Sequence, residues 1–173
     1  MNKMNEIKIE KITLNIGVGE AGDKLDKAAS LLKDISGAKP VKTKTMKRIP
    51  TWNIRPKLVI GAKVTLRGEK AEEVLGRLLK AINNRIHIKK FDDYGNLSFG
   101  ITEYINIPGI EYRPEIGIIG LEVAVTLERP GFRIKRRMLK KSKIGKSHLI
   151  TKEDAMNFIK NKFNIEIVNK EEE

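Results

Sequence analysis

The sequence predicts an α+β domain in which a mostly antiparallel sheet carries helices on one face and leaves the other face open. Segments with alternating apolar residues, typical of strands, flank two segments with helical apolar spacing. The later strands are connected by short turns, which favours antiparallel pairing. The chain has 173 residues, of which 40% are hydrophobic, so we expect residues 1–173 to form a single domain.

The first third of the chain is predicted to form a strand, a helix and a second strand. In the strand over 7–16 the apolar residues change phase near Glu10, which indicates a bulge. The helix over 23–36 has apolar residues at helical spacing and ends at Gly37. The second strand covers 41–45.

The middle of the chain is predicted to form a loop, a strand and a helix. Pro50 and Pro56 forbid a central strand between 47 and 57, so this segment is expected to be a long exposed loop. A strand over 58–67 alternates apolar and polar residues, and a helix over 69–83 follows it.

The last third is predicted to contain two strands and a short helix. Turn-forming residues at 92–96 precede a strand over 97–107, and a second strand covers 118–127. A helix begins at Thr151 in a pattern close to a capping box. The acidic end, 170–173, is expected to fray.

Positive charge is concentrated in two windows of the chain. The 35 Lys and Arg exceed the 22 Asp and Glu by 13. Residues 35–68 contain nine basic side chains and no acidic one, and residues 129–152 contain ten and again no acidic one. The other 115 residues therefore sum to −6. Such segregated charge favours a polyanionic partner over a merely solvated surface.

The sequence lacks the residue patterns typical of metalloproteins, enzymes, membrane-spanning proteins and secreted proteins. There is no cysteine, and His87 and His148 stand alone, so we predict no metal, no cofactor and no catalytic site. No uncharged stretch approaches the roughly twenty residues of a membrane helix. The amino terminus lacks a signal-peptide pattern, so we expect a cytoplasmic protein without a membrane partner.

A glycine-rich turn supports one alternative, a nucleotide-dependent enzyme. Residues 17–22 read G-x-G-x-x-G between a predicted strand and a predicted helix, as in dinucleotide-binding folds. Those folds place an acidic residue about twenty positions later, where this chain has Lys42 and Lys44. The other interpretation is a tight strand-to-helix turn.

The polar side of two predicted strands favours RNA binding. Lys63, Thr65 and Arg67 alternate outward from one strand, and Thr13 and Asn15 share a face of another. Lys and Arg neutralise phosphates, and Thr and Asn reach sugar hydroxyls and base edges. Structured RNA fits better than single strands because these strands carry no aromatic pair for base stacking. A solvated sheet face is the alternative.

Two further basic segments have alternative interpretations. Trp52 lies between Arg48 and Arg55 in the predicted loop, where it is either a core anchor or an exposed aromatic that packs on RNA. Residues 133–143 are too cationic for a core element and are expected to stay mobile until a partner neutralises them. A membrane-surface helix is the competing interpretation of this second segment.

Several sequence blocks in order resemble one family, the large-subunit ribosomal protein five family. The blocks are LNIGVGEA at 14–21, PVKTK at 40–44, IGAKVTLRG at 60–68 and GNLSFGI at 95–101. The segment from Thr126 onward resembles the archaeal and eukaryotic branch. The resemblance covers roughly residues 6 to 168, with Ala38 and Met46 standing where many members carry glutamine and a basic residue.

The resemblance implies a non-catalytic ribosomal protein that binds 5S rRNA in the central protuberance and lies beside other large-subunit rRNA and proteins. It also implies a loop that contacts P-site tRNA and a segment, 109–120, that bridges to a small-subunit protein. The predicted rRNA-binding residues are Thr13, Asn15, Lys42, Lys44, Lys47, Lys63, Thr65 and Arg67. The predicted tRNA-contacting loop, about 47–57, presents Arg48, Thr51, Trp52, Arg55 and Lys57. The basic extension, about 129–150, presents Arg133, Lys135, Arg136, Arg137, Lys140, Lys141, Lys143 and Lys146.

Overall fold

A computed structural model describes residues 2–168, and its architecture confirms the predicted α+β class. Short 3-10 turns connect several of the longer elements. The helices are α1 (Asp23–Ser36), α2 (Glu69–Ala81) and α3 (Lys152–Phe163). The strands are β1 (Lys8–Gly17), β2 (Val41–Lys44), β3 (Val59–Leu66), β4 (Arg85–His87), β5 (Leu97–Ile101), β6 (Leu121–Glu128) and β7 (Glu166–Val168).

Five strands form one sheet in the order β2-β3-β1-β6-β5, and every neighbouring pair is antiparallel. The first strand of the chain is therefore the central strand. The predicted bulge is confirmed, because the pairing of β1 with β6 shifts register between Ile9 and Lys11. The shift allows apolar residues on both sides of Glu10 to face the same core.

The core lies between one face of this sheet and helices α1 and α2. Ile12, Leu14 and Ile16 of β1 alternate into it and are at most 2% exposed. Each fully buried side chain of this size contributes roughly 1.5–3 kcal/mol. Helix α1 ends where Gly37 adopts the left-handed conformation, φ 61°, and donates its N–H to the carbonyl of Lys33 at 2.7 Å.

The carboxyl-terminal helix and a second small sheet complete the domain. Helix α3 begins with the predicted capping box, in which the Asp154 N–H donates to Thr151 Oγ1 at 3.2 Å. Its residues Ala155 and Ile159 are buried. Strands β4 and β7 pair in parallel as a two-stranded sheet that was not predicted from the sequence. The expected frayed end, 170–173, lies outside the described residues.

Two predicted strands are shorter than expected. The first ends at Ile101 instead of 107, and the second begins at Leu121 instead of 118. Ile101 pairs with Leu121, so β5 has no partner beyond that point. The chain turns inward there, and the fully buried Tyr104 accepts a hydrogen bond from the N–H of Arg113 at 3.0 Å. Tyr104 therefore fixes a loop that local alternation alone could not distinguish from strand.

Candidate nucleic-acid interface

Among residues 2–168, no helix packs on the sheet face opposite α1 and α2, and we call this the open face. Its side chains come from the positions of β1, β3, β5 and β6 that alternate with the core positions. Lys63, Thr65 and Arg67 are exposed, and Thr13 and Asn15 are half-buried. The structure therefore places the predicted strand residues together on one surface.

Strand register aligns these side chains in two rows across the sheet. One row runs through Lys63 of β3, Asn15 of β1, Glu122 of β6 and Gly100 of β5. The next row contains Thr65, Thr13, Ala124 and Ser98. Directly opposite residues have Cβ atoms about 4.5–5.5 Å apart, so each row is a continuous strip. Cationic and hydrogen-bonding groups are consequently concentrated on the β3 side.

Asn15 is held in place by Glu122. Its Nδ2 donates to Glu122 Oε2 at 3.1 Å. The amide oxygen of Asn15 is thereby left to accept a hydrogen bond from outside the sheet. Glu122 was not among the predicted site residues, although alternation with the core residues of β6 already places it on the polar side.

A hollow lies in the open face where the side chains are small. Ser98, Gly100 and Ala124 lie beside one another on β5 and β6, and all three are exposed. The hollow has a volume of about 390 Å³ and is also lined by Thr13, Asn15, Lys90, Phe99, Glu122 and Val123. The open face can therefore receive a group that protrudes from a partner.

Lys42 and Lys44 of β2 lie outside these two rows. Lys42 pairs with Ala62, whose side chain is buried in the core, so Lys42 emerges at the helix side of the sheet edge. There its Nζ forms an ion pair with Asp26 of α1. Lys44 pairs with Val59 after a shift in register and is exposed. Lys42 therefore does not share a sheet face with Lys63 and Arg67.

Strands β1 and β2 approach β3 closely at Gly61. A Cβ atom at this position would lie 2.9 Å from the carbonyl oxygen of Ile16 and 2.9 Å from Thr43 Oγ1. No real side chain tolerates that separation without movement of the backbone. Glycine is therefore required here to keep β2 and β1 on either side of β3.

The predicted loop over 47–57 projects from the β2–β3 end as a compact hairpin. Ile49 and Ile54 exchange two backbone hydrogen bonds at 3.0 Å, and Asn53 adopts the left-handed conformation that closes the turn. Ile54 is buried, whereas Trp52 is 68% exposed, so the interpretation of Trp52 as a core anchor is wrong. The exposed polar residues of this loop are Lys47, Arg48, Thr51, Arg55 and Lys57.

The basic extension is attached to the domain at both ends. Phe132 and Ile150 are buried in the core. Arg129 donates to the Leu149 carbonyl at 3.2 Å and to Asp154 at 2.9 Å. The remaining predicted cations of the extension are all exposed: Arg133, Lys135, Arg136, Arg137, Lys140, Lys141, Lys143 and Lys146.

Arg136 connects the extension to the sheet. Its guanidinium forms ion pairs with Glu10 in the bulge of β1 and with Glu128 at the end of β6. The expected mobile segment therefore has a fixed contact within its length. Between 133 and 145 the described chain forms no α-helix. Across residues 2–168, none of the helices has the length and apolarity needed to cross a membrane.

The glycine-rich turn does not form a phosphate cradle. The N–H groups of Val18 and Gly19 both donate to the Ile60 carbonyl, at 2.9 and 3.0 Å, so neither is available to a phosphate. Glu20 contacts Lys24 at 2.7 Å, and the hydrogen bond and then the charge of this carboxylate raise the pKa of the lysine. The turn interpretation therefore replaces the nucleotide-binding one.

No group of three potential ligands is close enough to hold an ion among residues 2–168. His148 Nε2 lies 2.8 Å from the Pro130 carbonyl and its ring packs edge-on against Phe132. His148 thus has a structural contact within the extension.

The segment over 109–120 follows Tyr104 on the side of α1. Arg113 forms an ion pair with Asp34 of α1 at 2.7 Å, which ties the segment to the helix. Tyr112 and Ile118 are 53% and 67% exposed. The segment is therefore attached to α1 through Arg113 and also presents the exposed side chains of Tyr112 and Ile118.

Comparison with known proteins gives consistent results over nearly the whole chain. A family model described as ribosomal protein L5 matches residues 2–55, and a second, described as the carboxyl terminus of the same ribosomal family, matches residues 59–158. The chain is 52% identical to the large ribosomal subunit protein uL5 of Sulfurisphaera tokodaii, over 97% of this chain and 96% of that protein. It is 54% identical to uL5 of Nanoarchaeum equitans (95% and 98%) and 46% identical to uL5 of Methanobrevibacter smithii (97% and 99%).

Proposed function

The chain belongs to the ribosomal protein L5 family of the large ribosomal subunit, and from this premise we propose that its open face binds 5S rRNA. Family membership makes the protein a structural component of the ribosome, in the cytoplasm, and not an enzyme. It therefore associates with ribosomal RNA and with other ribosomal proteins.

One observation carries the proposal for 5S rRNA: within residues 2–168 no helix covers the sheet face that presents Lys63, Thr65 and Arg67 together with Thr13 and Asn15. Lys63 and Arg67 neutralise phosphates, while Asn15 and Thr65 set the register through sugar and base contacts. The Asn15 amide is already oriented by Glu122, so little side-chain freedom is lost on binding.

The test of this proposal is a capture experiment. The purified chain is incubated with total ribosomal RNA of an archaeal relative, and the bound RNA is sequenced. We expect 5S rRNA to be enriched over fragments of the larger rRNAs. A Lys63→Ala, Arg67→Ala variant should lose the enrichment, and a Lys27→Ala, Lys33→Ala variant with the same net charge should keep it. If the wild-type chain and the control both fail to enrich 5S rRNA, the assignment to 5S rRNA is rejected.

We propose that the loop over 47–57 contacts tRNA in the P site. The exposed Trp52 and the flanking Arg48 and Arg55 offer stacking and phosphate contacts at the tip of a hairpin that Ile54 anchors. A Trp52→Ala, Arg48→Ala, Arg55→Ala variant keeps that anchor. It should bind 5S rRNA with wild-type affinity, and large subunits assembled with it should bind P-site tRNA more weakly. Loss of 5S rRNA binding would show that the loop serves the other RNA.

We propose that the segment over 109–120 contacts the small subunit and that the basic extension contacts large-subunit rRNA. The exposed Tyr112 and Ile118 give the segment an apolar contact surface on a fixed base. Replacing both with Ser should weaken association of the two subunits without changing 5S rRNA binding. Replacing Lys140, Lys141 and Lys143 with Ser should reduce incorporation into large subunits while leaving free 5S rRNA binding intact.

A further inference from the structure

The proposed RNA-binding surface contains a carboxylate, that of Glu122, whose presence phosphate binding does not explain. Glu122 is exposed on the open face, beside Asn15 and one strand further from Lys63. Among the described residues no cationic group lies within 4 Å of it, whereas Glu10 and Glu128 on the same side of the sheet are paired with Arg136. The carboxylate of Glu122 is therefore available to interact with a partner.

A carboxylate repels phosphate but accepts hydrogen bonds from the donors that RNA carries on its bases and sugars. Glu122 lines the hollow formed by Ser98, Gly100 and Ala124, which has a volume of about 390 Å³. Pockets for small ligands start at about 300 Å³. The hollow is thus large enough for a single nucleobase extruded from the RNA, the form in which proteins usually read RNA sequence.

We propose that this hollow binds one unpaired guanine of the bound RNA and that Glu122 recognises its Watson–Crick edge. Guanine alone among the four bases presents two adjacent donors there, N1–H and the N2 amino group, which match the two oxygens of a carboxylate. Adenine and cytosine place a ring acceptor beside their amino group, and this acceptor would face the second oxygen. The inference rests on the proposed function of the open face and specifies what one part of that face reads.

The neighbours of Glu122 support this assignment. Asn15 donates to only one of its oxygens, Oε2, at 3.1 Å, so acceptor capacity remains on both. The second amide hydrogen of Asn15 and the hydroxyl of Thr13 are potential donors to guanine O6 at the same wall of the hollow. Lys90 lines the hollow as well and is exposed, so it can neutralise the phosphate of the extruded nucleotide.

The decisive variant is Glu122→Gln, with Glu73→Gln on the helix side as a control of equal charge. Simple electrostatics predicts that removal of a negative charge from a polyanion-binding face strengthens binding. Recognition of guanine predicts the opposite, a weakening of 5S rRNA binding by about 5- to 150-fold, the usual range for loss of a bidentate base contact. Glu73 is exposed on α2, and its variant should bind as the wild type does.

Chemical probing of the RNA tests the base directly. Kethoxal modifies unpaired guanine at N1 and N2, the two groups that Glu122 would cover. We expect the wild-type chain to protect one guanine of a 5S rRNA transcript that becomes reactive again with Glu122→Gln. A Gly100→Leu variant, which fills the hollow from an open backbone position, should also remove this protection. Inosine at that nucleotide should weaken wild-type binding and leave Glu122→Gln unaffected.

Three results separate the possible failures. If the wild-type chain binds the transcript but protects no guanine, or if protection survives Glu122→Gln, the guanine assignment is overturned and the proposed 5S rRNA binding stands. If Glu122→Gln binds more tightly than the wild type, the carboxylate is only repulsive and the assignment is again overturned. If the wild-type chain does not bind the transcript at all, both proposals fall. Thermal unfolding of each variant verifies that the exposed substitutions leave the fold intact.

Discussion

The salt dependence of 5S rRNA binding provides a quantitative test of the open face. Each phosphate neutralised by a cation adds roughly −0.7 to −0.9 to the slope of log K against log salt. Lys63 and Arg67 are both exposed, Lys63 on β3 and Arg67 directly after it. Their replacement with Ala should therefore reduce the slope by about 1.4 to 1.8. Between 50 and 200 mM salt, the affinity of the wild-type chain should fall about 7- to 12-fold more than that of the variant.

The assay is fluorescence anisotropy of a labelled 5S rRNA transcript, titrated with protein at four or more potassium chloride concentrations. The control is Lys27→Ala, Lys33→Ala on α1, since both lysines are exposed on the opposite side of the sheet. Both double variants lower the net charge from +13 to +11, so a difference between them reports position and not total charge. Equal slopes for the wild type and the Lys63, Arg67 variant would refute the assignment of phosphate contacts to these two residues. Equal reductions in both variants would indicate a long-range effect of net charge only.

Three further predictions concern neutral contacts and stability. Replacement of both Asn15 and Thr65 with Ala should weaken 5S rRNA binding by roughly 1–3 kcal/mol in total. The slope of log K against log salt should stay unchanged because no charge is lost. The same anisotropy titration measures both quantities, and an altered slope would contradict the prediction. Gly61→Ala should lower the free energy of unfolding by about 1–3 kcal/mol in urea because its Cβ would lie 2.9 Å from a backbone oxygen. A Cβ atom at Gly100 would have no neighbouring atom within 4 Å, so Gly100→Ala should change the free energy of unfolding by less than about 0.5 kcal/mol. Equal effects of the two substitutions would count against the close strand approach at Gly61. Thr151→Ala should cost about 1 kcal/mol in the same assay through loss of the helix cap, and wild-type stability would show that the cap is redundant.

Alternation along single strands was sufficient to predict much of the candidate site. Lys63, Thr65 and Arg67 lie two positions apart, and the single residues between them, Val64 and Leu66, are apolar. Their common direction therefore follows from the geometry of a strand. The same reasoning, applied to the apolar positions of β6, would have placed Glu122 on the open face. That residue was missed because only cations and neutral hydrogen-bonding groups were expected on a surface for RNA.

What the sequence could not provide was pairing between distant segments. The side of the sheet on which Lys42 emerges depends on its pairing with Ala62, and a shift of one residue would reverse it. Strands β4 and β7 have three residues each and gain strand geometry from each other, about 80 residues apart in the chain, so neither has a recognisable period. The exposure of Trp52 likewise depends on Ile54 taking the anchoring position.

The order of the strands has a consequence for synthesis of the chain. Strand β1 emerges first from the ribosome, yet one of its two partners, β6, ends at Glu128. At about 5–20 residues per second, the interval between Gly17 and Glu128 lasts about 6 to 22 s, during which one edge of β1 lacks its hydrogen-bonding partner. Strand β5 also lacks a partner during this interval, because among the described strands it pairs in the sheet with β6 alone. Because β6 joins the two halves of the sheet, we expect the continuous open face to form only after Glu128 has been synthesised.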